Sequence, residues 1–201
     1  PYLKTKSLRF SSKPTAKSGL RKPRVAVLLA AGINCDRETE YGFNLAGGEA
    51  KRIHINDLIN KSENLSGYHI LVIPGGFSFG DDIASGKVLA NKIKYKLGDQ
   101  IQNFINDKKL ILGICNGFQV MVKLGLLPAI DGDYKTQTVS LVHNNSGKFE
   151  DRWVYLKSNQ NSNCVFTKNI DQLLYLPVRH GEGKFVVKDK NISDSLKKNN
   201  K

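Results

Sequence analysis

The sequence lacks the residue patterns that mark metal and disulfide sites. Its three cysteines contain no CxxC pair, and its four histidines show no HExxH spacing. Isolated cysteines in odd number are typical of a reduced compartment, so we expect a cytoplasmic protein and predict no metal site. The adjacent Asp81 and Asp82 are interpreted as caps of a following helix. Because no apolar run approaches the roughly 20 residues that cross a bilayer, we expect a soluble protein without a membrane partner.

Acidic residues are absent from the first 24 positions. The net charge is +13, but residues 1–24 carry eight Lys or Arg and no acid, and residues 184–201 carry six lysines against two acids. The body of the chain is therefore nearly neutral. We interpret residues 1–24 as a basic linker or leader and residues 184–201 as a lysine-rich tail, and we expect no nucleic-acid partner. Residues 25–201 are long enough for one domain.

Two kinds of hydrophobic pattern divide this domain. Apolar runs at residues 24–32, 51–55, 68–76 and 108–115 alternate with helical patterns, which predicts an α/β fold with a mainly parallel sheet flanked by helices. One helix is predicted from about Ile83 to Asn106, with a break near Gly98. From Gln137 onward, short stretches alternate apolar and polar residues, which predicts an antiparallel β extension.

Cys115 lies where the fourth apolar run meets a helical pattern. Residues 113–117 read Gly-Ile-Cys-Asn-Gly, the G-x-nucleophile-x-G form of a strand-to-helix elbow. Glycines on both sides remove the Cβ atoms that would collide in such a turn, and the helix N-terminus favours a thiolate. The pattern predicts that Cys115 is a nucleophile, while a buried, inert thiol remains the alternative.

A nucleophile of this kind needs donors for a developing oxyanion. The N–H of Asn116 is one candidate, and the turn Gly75-Gly76-Phe77 at the end of the third run supplies a second, from Gly76 or Phe77. These groups together predict an acyl-transfer site. Neither Cys35 nor Cys164 is flanked by a comparable turn, so both are interpreted as structural.

Four segments in order carry a family resemblance: VIPGGFSFGDD, LGICNGFQVMVKLGLLP, NNSGKFEDRWVYL and PVRHGEGKF. They resemble the glutaminase component of phosphoribosylformylglycinamidine synthase, a class I glutamine amidotransferase of purine biosynthesis. The resemblance implies a flavodoxin-like domain in which Cys115 forms a glutamyl thioester and releases ammonia from glutamine. It further implies that substrate contacts come from Gly75, Gln119, Arg179 and His180.

The resemblance also implies a partner. Ammonia would pass to a synthetase subunit or domain, which uses ATP and Mg²⁺ to convert formylglycinamide ribonucleotide into formylglycinamidine ribonucleotide. The glutaminase step itself would need no cofactor.

The catalytic base of this family lies in a His-Pro-Glu segment that these 201 residues do not contain. We therefore expect that the domain at residues 25–201 is truncated at its C-terminus and that this chain alone is weakly active. His180 and Glu182 have the same i, i+2 spacing and are a possible substitute base pair. Two other functions stay open: a non-catalytic amidotransferase-like subunit, and a cysteine-based redox or stress protein on a similar fold.

Overall fold

The computed structural model describes residues 21–171 and 173–198. Most of the predicted basic leader, residues 1–20, lies outside the described residues. The described part contains eight strands, five α-helices and two short 3-10 helices, at Ser78–Asp81 and Ile130–Gly132. The strands are β1 (Arg24–Leu29), β2 (Glu49–His54), β3 (Ile70–Ile73), β4 (Leu110–Gly113), β5 (Val139–Val142), β6 (Glu150–Leu156), β7 (Leu174–His180) and β8 (Lys184–Val187). The helices are α1 (Asp36–Leu45), α2 (Ile55–Ile59), α3 (Lys87–Asn106), α4 (Asn116–Leu124) and α5 (Lys190–Lys198).

The predicted parallel sheet is present. Strands β1 to β4 form a four-stranded parallel sheet in the order β2-β1-β3-β4. Its central strands are β-branched and apolar, and Val25, Val27 and Val72 are fully buried. Because all four strands run in the same direction, their carboxyl ends lie at one edge. The α/β fold class is thus confirmed, and this edge carries the predicted nucleophile.

Helix α3 corrects two predictions. It begins at Lys87 rather than near Ile83, and it continues through Gly98 without a break. Its buried side chains recur every three or four residues along the whole length: Leu89, Ala90, Ile93, Leu97, Ile101 and Phe104. Burial of this continuous apolar stripe outweighs the ~1 kcal/mol that a glycine costs inside a helix.

The antiparallel β extension is also present, as two pairs: β5 with β8, and β6 with β7. Val139 and Leu141 of β5 pack against Val122 of α4, which fixes the β5-β8 pair to the helix that follows Cys115. On the β6-β7 hairpin, the rings of Trp153 and Tyr175 stack with centroids 4.9 Å apart.

The lysine-rich segment 184–201 contains regular structure, of which the strand belongs to the predicted antiparallel extension and the helix was not predicted. Residues 184–187 form β8, and residues 190–198 form α5. Ile192 and Leu196 of α5 pack against the cluster that contains Val139. A four-residue spacing places these two apolar side chains on one helix face, while the lysines face away from it. Across the described ranges, no helix is long and apolar enough to cross a membrane.

Candidate active site

Cys115 occupies the turn between β4 and α4. Its backbone has φ 53° and ψ −112°, a conformation that a residue with a side chain rarely adopts. Such a residue costs about 1–3 kcal/mol and persists only where its surroundings enforce it. The thiol-bearing residue is exposed. The strained elbow predicted from the sequence is therefore present.

Two glycines enforce this turn. A Cβ at Gly117 would lie 1.8 Å from the carbonyl oxygen of Ile73, at the end of the neighbouring strand β3. A Cβ at Gly113 would lie 2.6 Å from the carbonyl oxygen of Gly117. Both contacts are far inside van der Waals distance, so the first turn of α4 packs against the ends of β3 and β4 only because neither residue has a side chain.

The turn after β3 lies beside the elbow. Gly76 has φ 138° and forms an isolated antiparallel bridge with Ile33, in the loop after β1. Through this bridge the N–H of Phe77 donates to the carbonyl oxygen of Gly32 at 2.8 Å. The Phe77 N–H is therefore engaged, and its assignment as an oxyanion donor is corrected. Within the described part of the chain, the N–H groups of Gly76 and Asn116 donate to no acceptor.

The side chain of Asn116 is buried at the start of α4 and makes three hydrogen bonds. Its oxygen accepts from the N–H of Ser78 at 3.1 Å, and its nitrogen donates to Asp81 Oδ1 at 2.9 Å. The same nitrogen donates to Gln119 Oε1 at 3.0 Å. Asp81 Oδ1 also accepts from the N–H of Gly86 at 3.2 Å, and Gly86 is the residue directly before α3. The N-cap of α3 is Gly86 without a side-chain cap, so the interpretation of Asp81 and Asp82 as caps of the following helix is corrected. Asn116 thus ties the elbow to the turn that carries Gly76.

Gln119 continues this network toward the turn between β7 and β8. Its side-chain nitrogen donates to the carbonyl oxygen of Glu182 at 2.9 Å, so both ends of the amide are bonded to protein. The Glu182 carboxylate accepts from the N–H of Ser85 at 3.2 and 3.3 Å. A series of hydrogen bonds therefore links the elbow, through Asn116 and Gln119, to Glu182 and Ser85.

His180 and Arg179 lie at the end of β7. His180 Nδ1 is 3.0 Å from Asn144 Oδ1, and the Asn144 amide donates to the His180 carbonyl oxygen at 2.7 Å. Arg179 pairs with Asp151 across the hairpin at 3.1 Å, and both side chains are exposed. The structure thus gives His180 and Glu182 separate partners. Their joint role as a base pair stays a prediction.

Sequence reasoning missed two residues of this region. Asn144 holds the His180 turn, and Cys35 lies beside Cys115 although six of the labelled helices and strands separate them in the chain. Burial raises the pKa of the Cys35 thiol, and the charges of Glu38, a Cys115 thiolate and Asp36 raise it further. No local sequence signal marks either position, because both contacts depend on the order of the strands.

Comparison with known proteins places this geometry in a family. Residues 22–201 match the family model of the CobB/CobQ-like glutamine amidotransferase domain. The PurQ subunit of phosphoribosylformylglycinamidine synthase from Thermotoga maritima is 33% identical over 174 residues, which cover 85% of this chain and 72% of that protein. The chain belongs to the PurQ family of glutamine amidotransferases.

Other PurQ proteins are more similar in sequence. The PurQ subunit of Dehalococcoides mccartyi is 50% identical over 167 residues, 83% of this chain. That of Methanococcus maripaludis is 48% identical over 177 residues, 88% of this chain. The chain spans 64% of the length of each of these two proteins.

Solved structures agree with the PurQ fold. The structure of PurLQS from Thermotoga maritima aligns with a TM-score of 0.68 at 30% identity, covering 85% of this chain and 72% of that one. A glutamine amidotransferase from the same organism aligns with a TM-score of 0.50 at 18% identity, which shows similarity of fold alone. Across residues 21–171 and 173–198, no group of three or more His, Cys, Asp or Glu side chains is placed to hold a metal ion.

Proposed function

We propose that this chain hydrolyses glutamine to glutamate and ammonia through a thioester on Cys115, as the glutaminase component of phosphoribosylformylglycinamidine synthase. The observation that carries the proposal is the exposed Cys115 in a strained elbow, next to the unbonded N–H groups of Asn116 and Gly76. The names of the PurQ relatives support the same activity and do not favour a non-catalytic subunit.

The chemistry follows from this arrangement. The Cys115 sulfur attacks the side-chain amide carbon of glutamine, and the carbonyl oxygen gains negative charge that the two N–H groups stabilise. The C–N bond then breaks and ammonia leaves with an added proton. Water hydrolyses the thioester to glutamate and restores the thiol. His180 and Glu182 are our candidates for the proton transfers, and Gly75, Gln119, Arg179 and His180 for substrate contacts.

The second half of the proposed reaction belongs to a partner. The relatives are named as subunits of phosphoribosylformylglycinamidine synthase, which supports a synthetase subunit that receives the ammonia. There, ATP and Mg²⁺ would drive conversion of formylglycinamide ribonucleotide into the amidine. The glutaminase step needs no cofactor in this proposal, since the thiol, the two N–H groups and water supply its chemistry.

A glutamine-mimicking diazoketone tests the nucleophile. We expect it to alkylate Cys115 stoichiometrically, with loss of dinitrogen, and to give a mass increase on tryptic peptide 110–123. Excess glutamine should slow this labelling at least about 10-fold, and asparagine should not. The Cys115→Ser variant should take up no label on that peptide.

Cys164→Ser is the matched control for that experiment. Cys164 is exposed like Cys115 but lies in the loop between β6 and β7. In the Cys164→Ser variant, Cys115 should therefore be labelled at the wild-type rate. In the wild-type chain, equal labelling of Cys164 and Cys115 without protection by glutamine would show that Cys115 is reactive but not part of a glutamine site. That result would contradict the proposed function.

A further inference from the structure

The strand order brings two cysteines from opposite sides to one glycine. Strand β3 lies between β1 and β4, and Gly75 follows β3 at the carboxyl edge of the sheet. Cys35 comes from the loop after β1, and its N–H donates to the carbonyl oxygen of Gly75 at 3.3 Å. Cys115 comes from the elbow after β4. The backbone of Gly75 is therefore flanked by a cysteine on either side.

The missing side chain of Gly75 leaves room between the Cys35 sulfur and the Cys115 side chain. A Cβ built on Gly75 would lie 3.6 Å from the sulfur of Cys35 and 3.3 Å from the Cβ of Cys115. Both cysteine side chains therefore border the same small volume, which any other residue at position 75 would fill. The two thiols also interact electrostatically, since ionisation of Cys115 opposes ionisation of Cys35.

The two thiols differ in accessibility. Cys115 is exposed in the elbow directly before α4. Cys35 is half-buried, and its thiol donates to Asn34 Oδ1 at 3.3 Å. An oxidant in solution therefore meets Cys115 first and leaves Cys35 as the neighbouring thiol.

We propose that Cys35 and Cys115 form a redox modification site, in which a peroxide converts the two thiols into a disulfide. A peroxide oxygen is transferred to the Cys115 thiolate, which gives a sulfenic acid and, from hydrogen peroxide, one water. The Cys35 sulfur, losing its proton, then attacks the Cys115 sulfur and expels the sulfenic oxygen as a second water. Two thiols are oxidised, one peroxide is reduced, and a dithiol reductant reverses the change.

This site has a consequence for the proposed function but does not rest on it. A disulfide would remove the Cys115 nucleophile reversibly and protect it from further oxidation to the sulfinic acid. Diazoketone labelling of the reduced chain tests the glutaminase site, and the mass of the oxidised chain tests the disulfide. Either proposal can therefore fail while the other stands.

Peptide mapping of the full chain tests the disulfide. The reduced protein is treated with hydrogen peroxide, its remaining thiols are alkylated, and it is digested with trypsin without reductant. We expect peptide 25–37, which holds Cys35, to be linked to peptide 110–123 with the loss of two hydrogen atoms. Dithiothreitol should separate the two peptides. Peptide 158–168, which holds Cys164, should remain unlinked.

Two serine variants provide further tests of the disulfide. In Cys35→Ser, Cys115 has no neighbouring thiol, so the fraction carrying the irreversible sulfinic acid should rise about 10-fold. In Cys164→Ser, the link between peptides 25–37 and 110–123 should form as in the wild type. The wild-type link is decisive by itself, so the test does not depend on the folding of Cys35→Ser.

Other outcomes would overturn the proposal. One is that hydrogen peroxide consumes the free Cys115 thiol of the wild-type chain, adds oxygen atoms to peptide 110–123 and gives no link to peptide 25–37. Another is a link of Cys115 to Cys164. A third is a link that forms only between two chains, which mixing with an isotopically labelled copy of the protein would reveal.

Discussion

Replacing Gly117 with alanine should destabilise the folded chain by more than about 3 kcal/mol, enough to abolish folding if the protein is marginally stable. The added Cβ would lie 1.8 Å from the Ile73 carbonyl oxygen and 2.6 Å from its carbonyl carbon. Both atoms belong to the backbone of β3, a buried strand between two neighbours, so neither moves aside cheaply. Urea unfolding followed by circular dichroism measures the change in unfolding free energy.

Gly98→Ala is the matched control for that substitution. Gly98 lies in the middle of α3, and a Cβ there would have no neighbouring atom within 4 Å. Alanine removes conformational entropy from the unfolded chain without a clash, so this variant should be more stable than wild type by roughly 0.5–1 kcal/mol. Equal stabilities of Gly117→Ala and wild type would show that the close approach of α4 to β3 is not required.

Asn116→Ala should cost about 2–4 kcal/mol of unfolding free energy. The substitution removes three hydrogen bonds and leaves the N–H of Ser78 and Oε1 of Gln119 without their partner, and an unsatisfied buried polar group costs about 1–3 kcal/mol. The start of α4 also loses its tie to the turn that carries Gly76. Diazoketone labelling of Cys115 should therefore slow about 10- to 100-fold, since a small displacement of reacting groups has effects of that size.

Asn103→Ala provides the comparison for this variant. Asn103 is exposed on α3, so its replacement by a better helix former should change stability by less than about 0.5 kcal/mol and leave labelling unaltered. Wild-type labelling in a folded Asn116→Ala variant would show that the side-chain network does not position the elbow. Loss of stability without loss of labelling would restrict Asn116 to a structural role.

The parts of the site that depend only on residues close in sequence were predictable. The elbow at Cys115 follows from two glycines spaced around one residue, and the structure shows the strained backbone and the close contacts that this pattern requires. Such short-range steric effects act within a few residues and can therefore be predicted from the sequence.

The assignment of the Phe77 N–H as an oxyanion donor was wrong because its hydrogen bond is to a residue distant in the chain. Its N–H is bonded to Gly32 because the loop after β1 forms a bridge to the turn after β3, a contact across 45 positions. The proximity of Cys35 to Cys115 has the same origin. Helix α5 was missed because its two apolar residues gain their stabilisation from the distant β5 and α4 rather than from neighbouring residues.

The sequence by itself determined the alternation of strands and helices, the change to antiparallel pairing after residue 137, and the sharp turn that presents Cys115. Each of these depends on hydrophobic periodicity or on backbone sterics over a few residues. Only the tertiary structure decided which N–H groups remain unbonded beside Cys115, and which partners hold His180 and Glu182. It also brought Cys35 across Gly75 to the elbow. These outcomes depend on strand order, which places residues from β1, β3 and β4 at one edge although the chain separates them widely.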